Sequence, residues 1–261
     1  MGWKKCPNCE LNYIDEKNLY CEYCIKSNSQ IRSIVNKIRY EEELKRDREI
    51  IEKEKTEELQ YRKELLELLN TFGFNGFLHT TSLNNFINIY KTKKILPRIK
   101  LENNSFEDCA NPEIISKTSD FLKSCVRFYY RAKTPTNVSA YKDFKQLSQV
   151  ILVLDKNEIY NDNAYFSNMN AKSIYARCSN RAKNALKYDW EKVFAEGPLK
   201  NEDDFIEKSE RNAEFLIFGD VDLSKISKIV FRTTFDMDEA IKKLGLDERF
   251  VVNSLMFYRG K

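Results

Sequence analysis

An α+β fold behind a small metal-binding module is what this sequence predicts, and three observations carry that expectation. Two Cys-x-x-Cys pairs stand within the first 24 residues, and from Ser29 to Asn70 the chain holds neither Gly nor Pro. Beyond Thr71, short apolar runs of strand character alternate with amphipathic segments. The chain has 261 residues, 42% of them hydrophobic and 13% aromatic, enough for a sizeable core. No run of about 18 apolar residues and no signal-peptide pattern follows Met1, so a cytoplasmic protein without a membrane partner is expected.

The first element, residues 1–28, reads as a zinc ribbon. Cys6-Pro-Asn-Cys9 and Cys21-Glu-Tyr-Cys24 each aim two thiolates at one tetrahedral ion, and the segment between them is long enough for a hairpin. Since the chain has a single histidine, the ligand set predicted is Cys6, Cys9, Cys21 and Cys24 around a structural zinc. Such a ribbon can bind nucleic acid or protein, and its sequence does not choose between them. Cys109, Cys125 and Cys178 lack ligand spacing and read as ordinary thiols.

The second element, residues 29–70, predicts a charged helical arm capped by Ser29. Glu41 with Lys45, Glu42 with Arg46, Glu49 with Lys53 and Glu58 with Arg62 stand four apart and each support a helix by a few tenths of a kcal/mol. Apolar residues gather only at the ends, Ile31 to Ile38 and Leu65 to Leu69, so the middle is a solvated spacer or a weak coiled coil. Residues 1–70 carry 14 basic and 15 acidic side chains, so of the overall net charge of +4 the third element, residues 71–261, carries 30 basic minus 25 acidic, or +5.

In that third element Phe77 to Thr81 predicts a strand, and Ser82 caps a helix with Leu83, Phe86, Ile87 and Tyr90 on one face. Lys91, Lys93, Lys94, Arg98 and Lys100 follow without an acid among them, which suits either a solvated loop or a phosphate-contacting surface. Val126 to Arg131 is a further strand. Ala171, Ile174, Tyr175, Cys178, Ala182, Ala185 and Leu186 recur at helical steps, with Lys172, Arg177, Arg181, Lys183 and Lys187 on the opposite face. That basic helix, followed by Tyr188 and Trp190, would serve as a platform for a single strand of nucleic acid. Phe215 to Phe218 predicts a buried strand with Glu214 at its mouth. There the carboxylate could bind a ribose hydroxyl and steady a cationic transition state, or could merely pair with Arg211. Lys228 to Phe231 gives another strand, Asp236 to Leu244 a helix stopped by Gly245, and Phe250 to Phe257 a last strand pair.

His79-Thr-Thr81 with Asn85, Asn111-Pro-Glu-Ile114, Phe128-Tyr-Tyr130 with Thr134-Pro135, Gln149 to Val153 and Ala213-Glu-Phe-Leu216 come in the order of the successive motifs of the DarT family. Over residues 75 to 232 the chain resembles these toxins, which transfer ADP-ribose from NAD to bases of single-stranded DNA. The resemblance implies an ADP-ribosyltransferase-like split antiparallel sheet with helices. It also implies a NAD site made by His79, Thr81, Asn85, Asn111, Tyr129 and Tyr130, with Glu214 as the catalytic glutamate. Two positions depart from the family pattern on the acceptor side. Thr118, with Lys117 beside it, stands where an arginine is usual, so Lys117 is the polar group expected at the acceptor base. Ser167-Asn-Met-Asn-Ala171 places Asn170 where a histidine is usual. The implied function is ADP-ribosylation of a nucleic-acid base, single-stranded DNA foremost, by a toxin or defence effector opposed by an antitoxin or ADP-ribosyl hydrolase partner. RNA or a protein side chain as acceptor, or a nucleic-acid-binding module without catalysis, are the alternatives.

Overall fold

A computed structural model describes residues 3–7, 10, 12–15, 21–101, 106, 118–142, 148–199 and 204–258. The chain forms two compact units, Met1–Glu57 and Glu58–Lys261. In the first, strands β1 (Trp3–Lys5) and β2 (Tyr13–Asp15) pair antiparallel, with Lys4 opposite Ile14. Helix α1 (Glu22–Thr71) begins seven residues before the expected cap at Ser29. Its first turn already closes at the second cysteine pair, where the Ile25 N–H donates to the Cys21 carbonyl at 3.0 Å. Glu22 lies in that turn, where the helix dipole favours an anion. Residues 36–57 are exposed along the helix, with Glu42 and Arg46 3.8 Å apart and Lys37 and Glu41 4.0 Å apart.

The end of α1 belongs to the second unit, where Leu65 and Leu69 are fully buried. Gly73, at φ +74°, takes the left-handed conformation that stops the helix. Gly76 then passes so close to a neighbouring strand that an added Cβ would lie 2.7 Å from the Leu154 carbonyl oxygen and from Val153 Cγ1. This close approach requires glycine.

Among the described residues one sheet holds eight strands: β3 (Phe77–Ser82), β5 (Cys125–Tyr129), β6 (Gln149–Leu154), β7 (Ala164–Ser167), β8 (Cys178–Ser179), β9 (Glu214–Phe218), β11 (Ile226–Phe231) and β12 (Phe250–Val252). Their order across the sheet is β12-β11-β6-β3-β5-β9-β7-β8. Neighbours are antiparallel from β11 to β8, as expected, but β12 runs parallel to β11. The chain returns from β11 through a helix at Thr234–Leu244, and a crossover of that kind delivers a parallel strand. A separate pair joins β4 (Lys94–Ile95) to β10 (Val221–Asp222). On one face of the large sheet Phe77, Phe128, Leu152, Phe166, Phe215 and Phe231 form the main core, with Phe77 stacked on Phe215 at 3.7 Å between centroids. Full burial of each such ring stabilises by about 1.5–3 kcal/mol.

Two sequence expectations fail, each for a local reason. The helix expected after Asn170 is a chain of turns leading into β8, and only Ala182–Ala185 is helical. Short polar side chains take the backbone donors that a helix would use: Asn170 Oδ1 accepts from Lys172 N, Ser173 Oγ from Tyr175 N, and Asn168 Oδ1 from Arg177 N. Accordingly Ile174, expected to face inward, is 87% exposed and Tyr175 60%. The last strand pair is also missing its second member, because Ser254–Met256 forms a 3-10 turn capped by Asn253.

Candidate active site

Strand alternation decides what meets Glu214. In the β5–β9 ladder Tyr129 lies opposite Glu214, and Arg127 opposite Leu216, so all four share one face of the sheet. Glu214 is 1% exposed, and its Oε2 accepts a 2.7 Å bond from the Ala171 N–H while Arg127 Nη1 stands 3.8 Å from Oε1. Burial pushes this carboxyl above the usual carboxylate range, against the pull of Arg127, the Ala171 N–H and Lys172. Glu214 therefore does not pair with Arg211, which bonds Glu207 and the carbonyls of Gly197 and Pro198.

Next to β5 the sheet opens. Strand β3 pairs with β6 along all six residues from Phe77 to Ser82, but with β5 only where Leu78 meets Tyr129. His79 stands at this opening, with Nδ1 2.9 Å from the Arg127 carbonyl and its ring 5.7 Å from Phe128. Burial lowers the His79 pKa, so the ring is neutral at pH 7. A carbonyl can only accept, so Nδ1 carries the proton and Nε2 keeps a lone pair for a ligand hydroxyl. Polar groups border the opening: Asn137 Nδ2 donates to Thr80 Oγ1 at 2.9 Å, and Asn212 Oδ1 accepts from Thr136 N at 3.1 Å. Thr134 Oγ1 caps the helix at Pro135–Lys142 by accepting from Asn137 N.

Of the residues expected from sequence, Tyr129 and Glu214 meet directly, and His79 joins them through the Arg127 main chain. Thr81 is buried opposite Val150, and Asn85 bonds its N–H to Ser82 Oγ in the first turn of the helix Leu83–Thr92. Tyr130 points to the other face, into the core, 4.9 Å from Trp190 and 5.7 Å from Phe77, with its hydroxyl unpartnered. Asn111 and Lys117 lie outside the described residues, while Thr118 is buried. Arg127 and Asn137 were missed by the sequence reading, yet the period of two from Tyr129 marks Arg127 as a neighbour on the same face. Cys125 shares that face too, but burial pushes its thiol up to about 12, so it is not a nucleophile.

A sheet that opens beside a neutral histidine, with a buried glutamate on the adjoining ladder, is the arrangement of a NAD-dependent ADP-ribosyltransferase. Residues 78–258 match the DarT family, described as ssDNA thymidine ADP-ribosyltransferase, and the chain belongs to that family. It transfers ADP-ribose from NAD to a nucleic-acid base. The fold is shared with solved structures of Thermus sp. 2.9 DarT. In its complex with ADP-ribosylated ssDNA the TM-score is 0.59 at 17% identity, covering 70% of this chain and 95% of that one. For the same protein with NAD+ the TM-score is 0.58 at 16% identity, covering 70% and 96%. Thermosipho africanus DarTG in complex with ADP-ribose is similar over 70% of this chain and 51% of its own, with a TM-score of 0.57 at 16% identity. Among curated proteins none matches.

Proposed function

We propose that NAD binds where β3 parts from β5, and that Glu214 drives the loss of nicotinamide. His79 Nε2 accepts from a ribose hydroxyl, Thr81 and Asn85 line the same end, and Tyr129 walls the nicotinamide side. Asn111 is assigned to the same pocket, and Tyr130 supports its floor from the core. As the bond from ribose C1′ to nicotinamide breaks, its electron pair leaves with nicotinamide. The ionised Glu214 holds the ribose hydroxyl and steadies the positive charge at C1′. A ring nitrogen of the acceptor base then bonds to C1′ and gives up its proton, and Glu214, with its raised proton affinity, is the base within reach. Lys117 is assigned to the acceptor side, where a cation favours the anionic base. Tyr129 set directly across from a buried Glu214 is the observation that carries this reading. Glu214→Gln should cut both transfer to DNA and hydrolysis of NAD by about 100-fold or more with NAD binding kept. Lys117→Ala should cut transfer more than hydrolysis. Near-full activity of the glutamine variant would overturn the assignment.

The acceptor taken here is single-stranded DNA, the polymer named for the Thermus relative, with an antitoxin or ADP-ribosyl hydrolase as opposing partner. The DarTG likeness supports such a partner, since this chain covers about half, 51%, of that one. For the N-terminal module we read a structural zinc. The thiol sulfurs of Cys6, Cys21 and Cys24 all lie within 4.8 Å of one another, and Cys6 and Cys24 are 3.9 Å apart. Tetrahedral ligands about 2.3 Å from zinc stand about 3.8 Å from each other, so the three fit. Donors aimed at these sulfurs suit thiolates: Asn12 Nδ2 and the Cys24 N–H on Cys21, and the Cys21 N–H on Cys6. Cys9, the fourth ligand of this reading, lies outside the described residues.

A further inference from the structure

In the second unit Arg62, Arg131, Arg211 and Arg249 are each anchored to main-chain carbonyls. Arg62 donates to Ile159, Asn161 and Asn180, Arg131 to Val193 and Ala195, Arg211 to Gly197 and Pro198, and Arg249 to Leu223 and Ile226. Such bonds offset the cost of taking a guanidinium out of water. Arg127 differs. Its side chain is 30% exposed, and Nη1 stands 3.8 Å from Glu214 Oε1, beyond hydrogen-bond distance. Among the described residues no carbonyl or side chain accepts a hydrogen bond from this guanidinium, and Glu214 is its only ion-pair partner.

Holding β5 to β9 does not require this pair, because the ladder already joins every residue from Cys125 to Tyr129 with one from Phe218 to Glu214. What the pair changes is the charge at Oε1. The Ala171 N–H takes Oε2, while Oε1 accepts no hydrogen bond among the described residues. The other groups around the carboxyl contribute less. Burial pushes the thiols of Cys125 and Cys178 up to about 12 and about 11, and raises Tyr129 and Tyr130 as well, so all four are neutral where Glu214 titrates. Lys172 is a second cation, with a weaker pull on Glu214 than Arg127 or the Ala171 N–H. A cation in hydrogen-bond contact would occupy a lone pair of Oε1, whereas one at 3.8 Å acts through its field and leaves that lone pair open.

We propose that Arg127 is a positioning residue for the transfer reaction, whose guanidinium keeps Glu214 ionised while leaving Oε1 open to the ribose hydroxyl. This rests on the reading of Glu214 as the catalytic glutamate. One residue then serves both partners of the site: the Arg127 main-chain carbonyl accepts from His79 Nδ1, and its side chain holds the charge of Glu214. Without the cation, burial acts against the carboxylate with less opposition, so Glu214 would take up a proton at a higher pH.

Hydrolysis of NAD by the full chain, followed against pH at saturating NAD so that protonation of His79 does not enter through affinity, tests the role. Arg127→Gln should move the acid limb up by about one pH unit, a loss of about ten-fold on the limb, with the plateau kept within about two-fold. Arg127→Lys, which keeps a cation, should restore most of that shift. The carboxyl of Glu214 should move the same way when titrated without NAD by infrared spectroscopy, its band identified by its absence from Glu214→Gln. A limb that Arg127→Gln leaves in place, or that Arg127→Lys moves as far as Arg127→Gln does, would overturn the proposal. So would a lowered plateau and raised KM with the limb unmoved, which would make Arg127 a contact of the substrate. The infrared titration separates the two readings: an unmoved carboxyl midpoint overturns the role of Arg127, whereas near-full activity of Glu214→Gln overturns the assignment on which it rests.

Discussion

Glu214 and His79 are moved in opposite directions by the same cause, loss of water around the side chain. Burial raises the glutamate above its ordinary 4.5 and lowers the histidine below its ordinary 6.5. In the proposed mechanism the glutamate acts in its ionised form, so the acid limb of the turnover profile should lie above pH 4.5 and should belong to Glu214. The histidine must be neutral to accept at Nε2, so NAD affinity, measured by calorimetry, should hold as pH falls to 6.5 and decline only below it. His79→Ala should weaken binding and remove that decline. An affinity midpoint at or above pH 6.5 would contradict the lowering of the His79 pKa by burial. The linkage to folding has the matching sign. Since the unfolded histidine binds a proton first, its share of stability is complete above 6.5 and is lost as pH falls below that value.

At the scale of elements, Arg62 shows what four-residue spacing cannot reveal. In the sequence Glu58 and Arg62 are one charge pair among several on a solvated helix. In the structure Arg62 is 4% exposed, and Nε meets Glu58 at 2.9 Å. Its Nη1 donates to the carbonyls of Ile159 and Asn161, and Nη2 to that of Asn180. Glu58 also accepts from Ala182 N at 2.8 Å, so one pair ties α1 to the turns before β7 and after β8. Arg62→Ala should therefore cost about 3–5 kcal/mol in urea unfolding, against less than about 1 for Glu42→Ala on the exposed stretch. Similar costs for the two would show the pair to be incidental. Strands were legible wherever apolar runs were continuous, as in Phe215 to Phe218, and so was the candidate site wherever motif order marked it, as at His79 and Glu214. The segment after Asn170 was not, because its period of three and four matches a helix while Asn168, Asn170 and Ser173 hold it in turns. Arg127 escaped because a charged residue inside an apolar strand gives no sign, before pairing is known, of which face it takes.

For the whole molecule, the N-terminal hairpin has strands of three residues and a core of Cys6, Ile14, Cys21 and Cys24, too small to hold itself without a staple. One zinc per chain is expected by elemental analysis of the full-length protein, and Cys6→Ser with Cys24→Ser should abolish it. Metal content unchanged in that variant would reject the site. The second unit has the opposite difficulty, since its chemistry is set inside a well-packed sheet. Glu214 is 1% exposed, and the ionised form that the proposed mechanism uses is held there against its preference for water. Glutamine at that position would keep the shape and shed the charge, so selection for folding alone would favour it. In the proposed mechanism the reaction offsets that cost, so a lineage released from selection for activity should lose residue 214 before it loses the fold.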